Sequence, residues 1–334
     1  MLERYGVHRS LSPAGVLPQQ AQVLDARSAL RAGELAVDVD YVNVDSASWR
    51  QLREECDDSE AAIARRVSEI VATAGKLHNP VTGSGGMLVG TVSELGPGRD
   101  APAVGTRIAS LVSLTLTPLE LDRIVSVDLP TGVVRARGRA ILFESSNYAE
   151  VPDDLPDELV LGVLDVCGAP AWMARLATAG ANVVIVGAGG KSGTLAAAQA
   201  RECVNAGRVL GLCWPEDTLA AARDAGADAV AVDCRDAVAV AGAVASGLDG
   251  ALADLVFVCA NVPGCEGGAL LACRDDGRVV FFSMATSFTA AALTAEGLGK
   301  HCEMIIGNGF VPGHAELALE LVRRHPRLLA RFSK

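Results

Sequence analysis

Aromatic residues are scarce in this chain of 334: 3 Trp, 3 Tyr and 7 Phe. Ala, Val, Leu and Gly must therefore do most of the packing. Positive charge is also short, 29 Lys and Arg against 40 Asp and Glu, for a net charge of −11. That balance argues against nucleic acid or an anionic membrane as the main partner. No apolar run reaches the ~18 residues of a membrane span. Met1 to Ser10 carries charge and lacks the apolar stretch of a signal peptide. The nine cysteines include no Cys-x-x-Cys pair, which fits reduced, mostly buried thiols and predicts a cytoplasmic protein. Internal repeats at solenoid periods and low-complexity segments are missing too. What is present is apolar material, 50% of the chain, enough to exclude disorder. At roughly 150 residues per domain the length suggests about two domains.

The first half reads as short strands and loops. Glu34–Val44 alternates, with Leu35, Val37, Val39 and Tyr41 set against Glu34, Asp38 and Asp40, at strand period. Ser59–Ala74 carries Ile63, Val67, Ile70 and Val71 at helical spacing, with Asp58 or Ser59 to cap its start and Gly75 its end. A glycine cluster, Asn79-Pro-Val-Thr-Gly-Ser-Gly-Gly-Met87, precedes strand-like runs at Leu88–Val92 and Thr106–Leu114. From about residue 160 the texture changes. Leu159–Ala179 predicts one long apolar helix, and Ala181–Val186 a buried strand. Helices and strands then alternate to Ser283, the pattern of βαβ units around a parallel sheet covered on both faces. Ala315–Ala330 closes the chain as an amphipathic helix.

Between a predicted strand and a predicted helix lies Val183-Val-Ile-Val-Gly187-Ala-Gly-Gly190-Lys-Ser-Gly193. Gly187 permits a tight turn, Gly190 lets backbone approach a pyrophosphate, and Gly193 lets helix pack on strand. The helix N-terminus offers free N–H groups and partial positive charge to phosphates. Gly187, Gly189, Gly190, Lys191, Ser192 and Gly193 are thus candidate cofactor ligands. A phosphate-loop NTPase is excluded, because the glycine required five positions before Gly190-Lys191-Ser192 is Ile185. The acidic ribose ligand expected after the second strand is missing. Cys213 and Trp214 stand there, and no Arg or Lys follows before Arg223, so neither NAD nor NADP is selected. Trp214, and the strand-following loops with Asn261 and Ser283, complete the candidate cofactor set.

A mostly-β first part, a Gly-x-x-Gly-x-x-Gly nucleotide fold and a short return segment resemble the medium-chain dehydrogenase/reductase superfamily, in its zinc-independent, quinone-reductase-like branch. The resemblance implies an α/β chain: a GroES-like catalytic domain (1–150), a doubly wound Rossmann domain (151–300), and a return segment (301–334) packing on the catalytic domain. A closer resemblance runs through Tyr5-Gly-x-His8-Arg9, Asn43-Val-Asp45-Ser46, Asn79–Met87, Ile141-Leu-Phe-Glu144-Ser145, Phe282–Thr289 and Gly313-His314-Ala-Glu316. These blocks resemble the L-erythro-3,5-diaminohexanoate dehydrogenase family of lysine fermentation. That family oxidises the 3-amine to give 5-amino-3-oxohexanoate and ammonia. The resemblance implies a diamino acid substrate, NAD or NADP with NAD favoured, and a homo-oligomer, dimer or tetramer.

Such chemistry needs a base for the ammonium proton and for a water that displaces ammonia. It also needs carboxylates for two ammonium groups and one site for the substrate carboxylate. Asp45, at the end of a strand, and Glu144, ending the apolar run Ala140–Phe143, are the first candidates for catalysis, with His8 as base. Arg9, Thr82, Ser84, Asp165 and His314 are candidate substrate contacts, Asp165 because a carboxylate inside an apolar helix needs a partner. No histidine pairs with cysteines at zinc spacing, and no metal is expected. Two alternatives stand beside this reading: a quinone or alkene reductase using NADPH, and a dinucleotide-binding protein without catalysis.

Overall fold

The alternating run at residues 34–44 becomes the middle of an antiparallel sheet. In a computed structural model describing residues 2–79, 83 and 85–332, the chain divides into two units, Met1–Asp154 and Leu155–Lys334. The first unit begins with the paired strands β1 (Ser10–Ser12) and β2 (Val23–Leu24). Then come β3 (Leu35–Asn43), helices α1 (Ser46–Glu55) and α2 (Glu60–Ala74), and β4 (Met87–Leu95). β5 (Arg107–Ser110), β6 (Leu119–Asp128), β7 (Val133–Leu142) and β8 (Tyr148–Glu150) complete it. The other six strands pair antiparallel in the order β6-β7-β3-β4-β5-β8.

Helix α2 forms where the spacing predicts it. The Ser59 hydroxyl accepts from the Ala62 N–H at its start. Gly75 ends it at φ +63°, and a Cβ there would meet Leu24 O at 2.0 Å. Ile63, Val67 and Val71 are buried in one core with Leu35, Val37 and Leu88 of the sheet. Each such side chain contributes about 1.5–3 kcal/mol.

The second unit opens with α3 (Asp157–Leu164) and α4 (Gly168–Leu176). It continues through β9 (Val183–Val186), α5 (Lys191–Val204), β10 (Val209–Cys213), α6 (Leu219–Asp224), β11 (Asp228–Ala231) and α7 (Ala237–Gly247). β12 (Ala253–Val258), α8 (Glu266–Ala272), β13 (Cys273–Phe281), α9 (Phe288–Leu298), β14 (Glu303–Ile306), α10 (His314–Arg324) and α11 (Pro326–Phe332) follow. All six strands are parallel, in the order β11-β10-β9-β12-β13-β14. That order is the doubly wound Rossmann sheet, with its reversal at β9.

Three expectations give way. The long helix Leu159–Ala179 is two helices, α3 and α4, bent by 49°. Pro170 has no N–H to continue the ladder and sits where it is tolerated, in the first turn of the second helix. Pro326 likewise divides the closing helix into α10 and α11. The strand at Thr106–Leu114 stops at Ser110, because the Ser113 hydroxyl caps a short turn over Leu114–Leu116. Residues 301–334 fall within the second unit, β14 pairing with β13 and α10 packing on α3, α4 and α5. Among the described residues no single helix is long and apolar enough to cross a membrane.

Candidate active site

The glycine turn follows directly on β9. Gly187 has φ +88°, and a Cβ there would press on Ala260 N at 2.7 Å. A Cβ on Gly193 would lie 2.2 Å from Gly187 O, so only glycine lets α5 approach the strand this closely. Gly190 caps α5, and the nearest atom to a Cβ on it is 3.6 Å away, so the space beside it is open. Exposed Lys191, half-buried Ser192 and buried Gly193 form the first turn of α5, whose N–H groups have no partner within the helix. The turn therefore fits the pyrophosphate of a dinucleotide: open space, free N–H donors and the positive end of a helix. Gly189 is covered by Thr218, and its carbonyl accepts from Arg331 Nη2 at 2.6 Å. Trp214, 55% exposed, follows β10. Asn261 is exposed in the loop after β12, and Ser283 is buried after β13, its hydroxyl accepting from the Ala285 N–H. These residues share the carboxyl edge of the sheet, where doubly wound folds bind ligands.

In the first unit Asp45 is half-buried at the start of α1. Its carboxylate accepts from the Ser48 N–H at 3.0 Å and from the Ser48 hydroxyl at 2.6 Å. Gly86, at φ +86°, lets backbone lie against this segment: a Cβ there would be 1.9 Å from Asn43 O and 2.9 Å from Asp45 N. Thr82 and Ser84 lie outside the described residues.

The other sequence candidates are placed elsewhere. Arg9 is fully buried, and every guanidinium nitrogen is engaged, by Glu34 and by the carbonyls of Asp25, Ser28 and Ala29. It has no donor left for a substrate carboxylate. His8 Nε2 is bonded to Glu34 Oε1 at 2.7 Å with its side chain only 7% exposed, so it is part of this buried network. Burial pushes the Glu34 carboxyl up, but Arg9, the Arg31 N–H and His8 outweigh it and hold the group below its usual range. Glu144 is a surface carboxylate, half exposed and paired with Arg4 at 3.3 Å. Asp165 lies exposed at the bend between α3 and α4, not inside an apolar helix. His314 is buried against Phe310 in the second unit, where desolvation lowers its pKa.

A cleft opens between α1, α2 and residues 77–79, with about 430 Å³ of empty space including its mouth. Ser48, Gln51 and Glu55 of α1 line it at helical spacing, facing Arg66 of α2. Arg66 Nε is 2.9 Å from Glu55 Oε1, shut off from water yet not aligned for a hydrogen bond. His78 and Asn79 close one end. Asn79 Nδ2 donates to Gln51 Oε1 at 3.0 Å, and His78 Nδ1 is 2.6 Å from Thr115 Oγ1. Burial, and then the nearby charge of Lys76, lower the His78 pKa, so the ring is neutral at neutral pH.

The profile of the L-erythro-3,5-diaminohexanoate dehydrogenase N-terminal domain matches residues 8–152. An L-erythro-3,5-diaminohexanoate dehydrogenase of Acetoanaerobium sticklandii is 42% identical over 99% of this chain and 98% of its own. One from Fusobacterium nucleatum is also 42% identical, with the same coverage of both chains. The chain belongs to the L-erythro-3,5-diaminohexanoate dehydrogenase family. Its fold is shared more widely. The quinone oxidoreductase from Coxiella burnetii matches 92% of this chain and 84% of its own, at a TM-score of 0.56 and 14% identity. Mycobacterial Rv1454c, solved with NADPH, matches 93% and 83% at a TM-score of 0.56 and 17% identity. This is the medium-chain dehydrogenase/reductase fold, and the family is one of oxidoreductases. Two features of this family member escaped sequence reasoning. Arg331 reaches the glycine turn from 142 residues away, and nothing local marks it. The cleft residues Glu55 and Arg66 lie on helix surfaces and His78 in a loop; the one usable signal was the shared face of Ser48, Gln51 and Glu55.

Proposed function

We propose that this chain catalyses the NAD(P)-dependent oxidative deamination of L-erythro-3,5-diaminohexanoate to 5-amino-3-oxohexanoate and ammonia in lysine degradation. The observation that carries this reading is the 42% identity to enzymes of that name over 99% of the chain, through both units. In balance, the substrate ammonium form, the oxidised cofactor and one water give the ketone, the reduced cofactor, ammonium and one proton. Bound nicotinamide dinucleotide supplies the hydride acceptor. The first-turn N–H groups of Lys191, Ser192 and Gly193 would hold its pyrophosphate.

Hydride leaves only from a neutral amine, so a base takes the ammonium proton first, and a base-activated water then displaces ammonia. Asp45 is the proposed group. Ser48 orients its carboxylate with two hydrogen bonds, and the glycine-lined segment at Gly86 leaves backbone, not side chains, beside it. NAD is the proposed cofactor, with neither lysine nor arginine in the Cys213–Ala222 segment after β10.

The proposed setting is a homo-oligomer in the cytoplasm, where all nine cysteines are kept as the free thiols seen here. A second copy would add to the open edge strand β14, whose Met304 and Ile306 are 43% and 64% exposed. Sedimentation of Ile306→Lys should then show a smaller species than the parent protein.

The test is near-ultraviolet absorbance of reduced nicotinamide with 3,5-diaminohexanoate and each cofactor separately, and ammonia measured in parallel. Equal amounts of reduced cofactor and ammonia are expected, faster with NAD. Asp45→Asn should lower kcat by about 10²–10⁴-fold with cofactor affinity unchanged. Silence with both cofactors, while either still binds, would sink the reading.

A further inference from the structure

We propose that the cleft between α1, α2 and residues 77–79 recognises the ionic ends of the substrate, Arg66 pairing with its carboxylate and Glu55 with the ammonium group that is not oxidised. The proposal rests on the amine dehydrogenase reading and adds the residues that select its substrate.

The cleft holds opposite charges side by side. Glu55 and Arg66 are 45% and 42% exposed, close enough to pair and wet enough to separate. An exposed pair of this kind contributes little, so opening it is not a barrier. A zwitterionic ligand replaces each partner with its own opposite charge, and both side chains stay neutralised. Arg66 is prepared for the exchange. Its Nε is sealed from water without an aligned acceptor, and a carboxylate is the acceptor whose two oxygens match the guanidinium fork. Glu69 lies 3.9 Å from Arg66 Nη1, one helical turn further along α2.

The rest of the wall fits the same ligand. Val44, Leu52, Ile70 and Leu77 give apolar surface for a short carbon chain. Because His78 is neutral at neutral pH, it does not repel an ammonium group. Ser48 joins the cleft to the proposed catalytic carboxylate, lining the first and bonding Asp45 at once. One helix, α1, thus carries Asp45 at its cap and Glu55 in its last turn.

The experiment compares 3,5-diaminohexanoate with 3-aminohexanoate, which lacks only the 5-amine, in the full-length enzyme. Glu55→Gln should reduce the preference in kcat/KM for the diamino substrate by about 10- to 100-fold, the scale of one charge-assisted hydrogen bond. Arg66→Gln should raise KM for both substrates to a similar degree, and Arg66→Lys should fall between. Cofactor affinity and thermal unfolding of each variant report on folding. A merely structural role for the pair would lower stability and kcat and leave the diamino-over-monoamino ratio as it was. An unchanged ratio in active Glu55→Gln overturns the proposal while the function stands. A parent enzyme silent on 3,5-diaminohexanoate overturns both. If neither Arg66 variant folds, the Glu55 ratio decides alone.

Discussion

In the second unit, the groups offered to a ligand are backbone N–H donors at the end of a strand, and its interior is almost without charge, Glu266 and His314 apart. The first unit seals Arg9, Glu34 and Lys76 inside. Lys76 has no carboxylate partner among the described residues; its ammonium donates to Pro18 O and Ala21 O, and burial depresses its pKa. The difference teaches where charge can be trusted as a sign of function. A parallel sheet covered on both faces leaves no room for ions, so its polar groups collect at the edge, where ligands bind. A small antiparallel unit with a long N-terminal loop uses ions to fasten that loop, and a conspicuous Arg or His there is as readily a clamp as a ligand.

The sharpest way to break that contrast is Arg9→Met. Removing one partner leaves Glu34 buried with an unmatched charge, which should destabilise the protein by about 3–5 kcal/mol. Denaturant unfolding measures it. The linkage has a definite sign. Glu34 is held below its usual 4.5 in the folded state, so its contribution is present above that value and is lost as pH falls through it and below. The parent protein should therefore lose stability in that acid window, and Arg9→Met should lose less of what remains. A variant that unfolds normally but shows a raised substrate KM would return Arg9 to the active site and undo the comparison.

Within the second unit, two glycines separate folding from binding. Gly193→Val forces a side chain onto Gly187 O and should cost about 1–3 kcal/mol of stability together with cofactor binding. Gly190→Ala meets no protein atom within 3.4 Å and has an ordinary φ of −77°. Its unfolding should stay within about 0.5 kcal/mol of the parent. Its affinity for the dinucleotide, read by fluorescence titration, should drop about tenfold or more, since the methyl group occupies the open space a pyrophosphate needs. Unchanged affinity in Gly190→Ala would mean that the cofactor lies elsewhere on the edge.

The same contrast explains what was legible in the sequence. The strand–turn–helix at Val183–Val204 is specified by neighbours in the chain, and continuous apolar strands admit one architecture. Asp45 was legible as a carboxylate ending a strand, although its Ser48 partner appears only once α1 forms. The partners of Arg9, His8 and Glu144 were not legible, because a charge finds them far away in the sequence. Glu34 lies 25 residues beyond Arg9, and no local pattern marks the pairing. Glu55 and Arg66 were passed over for the same reason: each is an ordinary helix-surface ion until two helices face each other across a cleft.

Arg331 is the exception inside the second unit, a charged side chain that reaches the glycine turn from α11. Its bond to Gly189 O is a single part-buried contact, so Arg331→Ala should change stability by no more than about 1 kcal/mol. Its effect on cofactor choice is the more telling number. A guanidinium held beside the turn is the kind of group that pairs with a ribose 2′-phosphate, and the Cys213–Ala222 segment supplies no other cation. Arg331→Ala should therefore weaken NADP more than NAD, by about threefold to tenfold in Kd. An equal loss for the two cofactors would place the guanidinium on the pyrophosphate they share. No loss for either would show that the turn binds by backbone alone, which is the comparison in its purest form: a ligand site built from N–H groups in one unit, and buried ions that fasten a loop in the other.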